Sequence, residues 1–368
     1  MPSEGQQELY YQIALSFVPG IGAKTGRVLL EKLGSAEEIF RLSPKDLKKE
    51  GVSEVKTKGF KDPEVLARAQ DELDFVIKNN VQTIYTGKGY PTRLAQCSDA
   101  PLLLFFKGNA NLDAKKIVAI VGTRKNTDYG HKLTEELVEG LQGMEDVLVV
   151  SGLALGIDAI AHKKCLQAGV PTVGVMGHGL DRVYPYSHKL LAEQMLENGG
   201  ILAEYPSLTL PDRNNFPMRN RIVAGMSDVT VVVESHATGG ALITAQMASG
   251  YNRDVVAYPG RVSDSRSAGC NELIRRNVAG MVTKAADLIE MMNWNKEAKP
   301  KAVQRQLFLN LTEDEQKIID FLQTRDSIHS DELFHQTGLT SSALASTLLM
   351  LEMQGLVKAL PGKLFRLT

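Results

Sequence analysis

The sequence predicts an α/β protein: an extended Rossmann-like, doubly wound domain, preceded by a helical helix-hairpin-helix or SAM-like unit and followed by a winged helix. Three observations predict it. From about residue 81, short β-rich apolar runs alternate with helical stretches. The central runs are nearly continuous in Val, Ile and Leu, as in strands covered on both faces. The last 58 residues read as three helices and a hairpin. The implied boundaries are 1–80 for the helical unit, 81–292 for the Rossmann-like domain, 293–310 for a linker and 311–368 for the winged helix.

Each element has a local reason. ALSFVPGIGAKTGRVLLEKLG is an apolar helix, a PGIG turn and a second helix with Val28, Leu29 and Leu33 on one side. Ser35 precedes Glu37 and Glu38, a cap followed by acidic residues in the first turn. Pro44 begins a helix after Ser43. The strands follow as VQTIYT, PLLLFF, KIVAIVG, DVLVVSG, PTVGVMG, GILAEY, DVTVVVE, DVVAYPG and AGMVT. Helices such as GHKLTEELVEGLQGM and SHKLLAEQMLENGG lie between them. The stretch NWNKEAKPKAVQRQLFLN is polar, lysine-rich and carries Pro300, the pattern of a linker. Thr312 caps TEDEQKIIDFLQTRD, the next helices end at Gly338 and Gly355, and the hairpin turns at Pro361–Gly362.

Composition excludes several classes. The 368 residues exceed one ordinary core. No apolar run reaches the roughly 18 residues of a membrane span, and MPSEGQQELYYQ is unlike a signal peptide. Cys97, Cys165 and Cys270 are scattered, which argues against a disulfide framework or a clustered zinc site and for a reducing cytoplasm. Acidic and basic counts agree within one in each of the segments 1–80, 81–299 and 300–368. Nucleic acid would therefore be bound through local patches.

The motifs lie at strand ends. VGTRKNTDYG places Gly122 in a tight turn, with Arg124 and Lys125 beside amides that suit a phosphate. SGLALGIDAIAH gives a second tight end at Ser151–Gly152. Its Asp158 and His162 have metal-pair spacing but no third ligand nearby, so a hydrogen bond or packed histidine is the expected fate. GHGLDR lacks the third glycine of a dinucleotide fingerprint and reads as a loop. RNNFPMRNRIVAG carries Arg213, Arg219 and Arg221 without an acidic residue. Pro217 is expected to start a helix, with Arg219 and Asn220 in its first turn, opposing the dipole unless an anion sits there. Phe216 could stack a base. Gly239–Gly240 opens a third helix after a strand. In PGIGAKTG, the amides around Gly20 and Gly22, with Lys24, can form a secondary phosphate grip, though such hairpins also serve as purely structural units and this segment is net negative. The third C-terminal helix, TSSALASTLLMLEMQG, has no Lys or Arg, which favours a protein-contact or scaffold role for that unit.

AIVGTRKNTDYG, VVSGLALGIDAIAHKKCLQAGVPTVGVMGHGLD, ILAEYP, FPMRNRIVAGMSDVTVVVES, GGALITAQMASGYNRDVVAYPG and GCNELIRRNVA, in that order over roughly residues 80–290, resemble the DNA-processing protein A (DprA, or Smf) family. Thr123 stands where that family often has serine. The resemblance implies a cytoplasmic, non-enzymatic, dimeric protein without cofactor or metal. It would bind single-stranded DNA, shield incoming strands in natural transformation and competence, and help load the RecA recombinase for homologous recombination. It maps a nucleic-acid pocket onto Gly122, Arg124, Lys125, Ser151, Gly152, Phe216, Arg219, Asn220, Arg221, Gly239 and Gly240.

Two rival readings share the fold. A nucleotide phosphoribohydrolase needs PGGxGTxxE, but TGGALITAQ has Leu242 and Ile243 for Gly-Thr and Gln246 for the glutamate. Glu204 and Glu234 are the carboxylates that could stand in. A nucleotide-sensing module would signal through the winged helix.

Overall fold

The computed structural model describes residues 4–87, 89–294, 311–323, 325, 327–360 and 363–367. The chain divides into two compact units, Met1–Lys296 and Glu297–Thr368. The helical unit and the Rossmann-like sheet thus share one body, while most of the expected linker and the Pro361–Gly362 turn fall outside the described residues.

The first unit opens with α1 (Glu4–Phe17), α2 (Ala23–Leu33), α3 (Ala36–Arg41), α4 (Pro44–Lys49), α5 (Glu54–Thr57) and α6 (Pro63–Lys78). Capping follows the expected chemistry: Ser35 accepts from the Glu38 amide and Ser43 from the Asp46 amide. Nine strands follow, each on one of the apolar runs: β1 (Gln82–Tyr85), β2 (Leu103–Gly108), β3 (Lys116–Val121), β4 (Val147–Ser151), β5 (Thr172–Met176), β6 (Gly199–Ala203), β7 (Val229–Val232), β8 (Asp254–Ala257) and β9 (Gly280–Met281). Between them run α7 (Thr92–Ala95), α8 (Asp128–Leu141), α9 (Ile157–Ala168), α10 (Lys189–Met195), α11 (Asn215–Met226), α12 (Gly240–Gly250), α13 (Ala268–Arg275) and α14 (Ala285–Met291).

The strand order is β1-β2-β6-β5-β4-β3-β7-β8-β9. The strands from β3 to β9 are parallel, and β2 joins β6 antiparallel. Alternation divides the core. Ile117, Ala119 and Val121 pack on one face with Ile222, Val223 and Ala245, while Val118 and Ile120 pack on the other with Leu137 and Ile157. Leu103 and Phe105 of β2 belong to the core of the N-terminal helices, so that bundle is built onto the sheet's edge. From β3 the chain winds outward to β6, then returns to β7 on β3's other side. This reversal opens a crevice beyond the carboxyl ends of β3 and β7, where ligands of such sheets bind.

The second unit holds α15 (Glu313–Gln323), β10 (Ile328–His329), α16 (Ser330–Thr337), α17 (Ser341–Met353), β11 (Val357–Leu360) and β12 (Leu364–Leu367). Its sheet order, β10-β12-β11, adds to the hairpin a two-residue strand too short to show in the sequence pattern. Thr312 accepts from the Glu315 amide as expected of a cap.

Candidate nucleic-acid interface

Glycines bring the carboxyl-end loops together. A Cβ on Gly156, whose φ is +79°, would lie 2.3 Å from the Thr123 carbonyl oxygen, so only glycine lets the loops after β3 and β4 touch. A Cβ on Gly122 would lie 2.5 Å from Ile157 Cγ1, and one on Gly177, just beyond β5, 2.9 Å from the Phe216 ring. Around that ring the edge becomes chemically distinct. Tyr184 stacks on Phe216 with centroids 5.8 Å apart and planes inclined by 28°. The Arg124 guanidinium lies 5.8 Å from the same centroid. Tyr184 is 52% exposed, and Arg124 and Lys125 are exposed as well. An aromatic surface with a cation at its side is what an unpaired base on a charged backbone requires.

The other two arginines do not have the role expected of them. α11 begins at Asn215, two residues before Pro217; proline fits a first helical turn because its missing N–H has no intrahelical partner there. Arg219 therefore sits in the second turn and is only 4% exposed. Its Nη1 donates to the carbonyls of Gly152 (2.6 Å) and Val175, and its Nε to Asn220 Oδ1 at 3.2 Å. Asp158 lies beside it and accepts from the amides of Gly152 (3.1 Å) and Ala154 (3.4 Å). Burial lowers the Arg219 pKa to about 10, Asp158 opposing and Arg124 adding to the shift, so the guanidinium stays charged at neutral pH. Burial likewise raises the Asp158 carboxyl, against the pull of Arg219.

Arg221 faces another way, since residues two apart on a helix do not share a face. It forms a buried ion pair with Glu204. The expectation that Arg219 and Arg221 together grip phosphates is corrected: one ties strand-end carbonyls together, the other is neutralised by a carboxylate.

Ser151 is corrected in the same sense. It is fully buried and its hydroxyl donates to the Ile120 carbonyl at 2.5 Å. Gly152 is bare because a Cβ would lie 2.6 Å from Arg219 Nη2. Ser151, Gly152 and Arg219 thus tie the ends of β3, β4 and β5 together.

The three helix starts are not equivalent. At α8 the Glu234 carboxylate accepts from the Thr127 amide (2.9 Å) and hydroxyl (2.5 Å), so a protein anion holds the place a phosphate would take. At α9 the loop amides turn to Asp158. At α12 Gly239 caps without a side chain and Gly240 is exposed with open space around it. In the helical unit, α2 starts at Gly22 without a side-chain cap, Lys24 is exposed, and Lys56 Cε lies 2.9 Å from where a Gly20 Cβ would be.

Asp158 and His162 have separate partners. His162 Nδ1 pairs with Thr172 Oγ1 at 2.7 Å, and burial lowers its pKa to about 3. Among the described residues no group of three His, Cys, Asp or Glu could hold a metal. The GHGLDR segment is a loop, its Gly179 amide bonded to the Thr209 carbonyl at 3.2 Å. Tyr184 is not among the expected site residues; its signal in the sequence is an aromatic residue in a loop at the ligand edge.

Parallel strands, a crevice at the point of reversal and a pair of stacked rings with an arginine against one of them define a Rossmann-like protein with an edge suited to nucleic acid. The model of the DNA recombination-mediator protein A family matches residues 82–293, and that of the DprA winged helix domain matches residues 300–363. A putative DNA processing protein DprA of Mycobacterium tuberculosis is 34% identical over 80% of this chain and 79% of its own. The DNA processing protein DprA of Streptococcus pneumoniae is 40% identical over 54% of this chain and 70% of its own. The solved DNA processing protein A of S. pneumoniae superimposes with a TM-score of 0.62 at 32% identity, covering 76% of this chain and 95% of that one. A Helicobacter pylori DNA processing protein A, solved to explain its single-stranded DNA binding mode, gives 0.53 at 29% identity, covering 58% and 96%. This chain belongs to the DNA recombination-mediator protein A (DprA) family.

Proposed function

We propose that this protein binds single-stranded DNA at the carboxyl edge of its sheet. The observation that carries the reading is the platform of exposed Tyr184 stacked on half-buried Phe216, with Arg124 beside it. A platform of this kind takes an unpaired base by its face, whereas a duplex keeps its bases stacked inside. Lys125 and the open start of α12 at Gly239–Gly240 supply further contacts for phosphate, and Gly20, Gly22 and Lys24 a secondary one. The relatives named for DNA processing support the same reading.

The finer reading is that this protein shields incoming strands in the cytoplasm during natural transformation, acts as a homodimer and passes the strand to RecA. Residues 1–80, 81–292 and 311–368 would be its functional modules, joined by 293–310. No catalytic role is assigned. Glu234 is hydrogen-bonded by Thr127 through both its oxygens, and Glu204 is ion-paired with Arg221 through Oε2, so each of the two carboxylates that could replace the absent glutamate already has a partner in the fold.

The test is an anisotropy titration of single- and double-stranded DNA of one sequence across a range of salt. The single strand should bind more tightly, with a log–log salt slope of about −0.7 per phosphate contact. Arg124→Ala and Phe216→Ala should each weaken it for all sequences alike. Equal affinity for the two DNA forms, or wild-type affinity in both variants, refutes the assignment.

A further inference from the structure

In residues 4–294, ten arginines are committed to carboxylates, carbonyls or a side-chain amide: Arg27, Arg41, Arg68, Arg93, Arg182, Arg219, Arg221, Arg253, Arg275 and Arg276. Those whose side chains carry no hydrogen bond or ion pair among the described residues are Arg124, Arg213, Arg261 and Arg266. All four stand on loops beyond the carboxyl ends of β3, β6 and β8. Every other arginine of this unit has a hydrogen-bonding acceptor within the fold, so an edge that leaves four of them without one is suited to an anion from outside.

Arg261 and Arg266 lie on the loop after β8, which is held firmly against the pocket. Asn271 clamps Gly260 through both backbone groups, its Oδ1 accepting from the amide (3.1 Å) and its Nδ2 donating to the carbonyl (3.0 Å). The Gly269 amide donates to the Ser235 carbonyl at 2.8 Å, joining the loops after β8 and β7. Tyr129, two residues beyond Thr127 on α8, donates its hydroxyl to the Pro259 carbonyl at 2.8 Å. The Thr123 amide reaches the Glu234 carbonyl at 2.8 Å. The loops after β3, β7 and β8 therefore form one laced rim. The one acid between the two arginines, Asp264, accepts from the Arg266 amide at 2.9 Å.

We infer that the β8 loop is a second backbone-contact site, where Arg261 and Arg266 take the phosphates of a single strand that has left the Phe216 platform. The inference rests on the reading above and extends it. From β5 to β8 the sheet spans four strand spacings, about 19 Å at roughly 4.8 Å each. A mononucleotide cannot cover that distance, so the β8 loop should matter only for strands of several nucleotides.

The experiment is a length series of oligothymidylates bound to the full chain, compared with an Arg261→Ala/Arg266→Ala double variant. On long oligonucleotides the variant should lose affinity, and its log–log salt slope should be shallower by about 1.4, two contacts at about 0.7 each. On the shortest oligonucleotide that wild type retains, the two proteins should agree. Lysine at both positions should restore the slope, since a point charge suffices for a phosphate. Arg275→Ala/Arg276→Ala, which removes cations already paired with Glu272, should leave it unchanged. An unaltered slope in the first variant overturns the β8-loop site alone. A wild type that binds no oligonucleotide overturns the platform and this site together.

Discussion

Arg219 and Arg124 show how one residue type serves two purposes at one sheet edge. Arg219 is buried against two carbonyls and Asp158, and its removal would leave that carboxylate uncompensated inside the protein. Arg219→Ala should therefore cost about 3 kcal/mol of unfolding free energy. Arg124→Ala removes an exposed cation and should stay within about 0.5 kcal/mol of wild type. Urea denaturation of the two variants decides it, and coincident midpoints would show that Arg219 is not structural. The sequence displayed both arginines but not their roles. The groups that capture Arg219 come from residues 152, 158 and 175, and Glu204 captures Arg221. No local pattern links positions so far apart in the chain. Capping at Ser35 and Ser43 was legible because donor and acceptor lie three residues apart.

At the scale of elements, the start of α8 shows why a glycine and an acid at distant positions belong together. Glu234, at the end of β7, reaches into the first turn of α8, and a Cβ on Gly130 would lie 2.1 Å from its Oε2. Alanine within a helix ordinarily gains up to about 1 kcal/mol over glycine. Here Gly130→Ala should instead destabilise by about 1–3 kcal/mol, since it must displace a hydrogen-bonded carboxylate from a packed site. Gly250→Ala, at a helical glycine with open space around it, is the matched control and should be neutral or mildly stabilising. Thermal midpoints of the pair test the argument, and equal shifts would sink it. The strands were legible because β-branched runs between Gly and Pro have few other fates. Their order was not, because β3 lies beside β7 through an excursion of some hundred residues that leaves no trace in either segment.

At the scale of the whole molecule, the question is which unit carries the affinity for DNA. In the second unit, α17 holds the recognition position of a winged helix, yet SSALASTLLMLEM supplies neither Lys nor Arg, and Leu349, Met350 and Met353 are exposed on it. Reading a groove needs donors and acceptors aimed at base edges, and binding a backbone needs cations. An apolar helix surface offers neither; the exposed Lys317 and Arg325 are paired with Asp314 and Glu332, whereas the exposed Lys358, Lys363 and Arg366 are on the wing. The first unit contains the platform, the unpaired arginines and its own cores on both faces of the sheet. A chain ending at Lys296 should therefore remain folded and bind oligothymidylate with the affinity and salt slope of the full chain. Circular dichroism checks the first expectation and anisotropy the second. A folded truncation with a shallower slope would place phosphate contacts on the wing and return the winged helix to DNA binding.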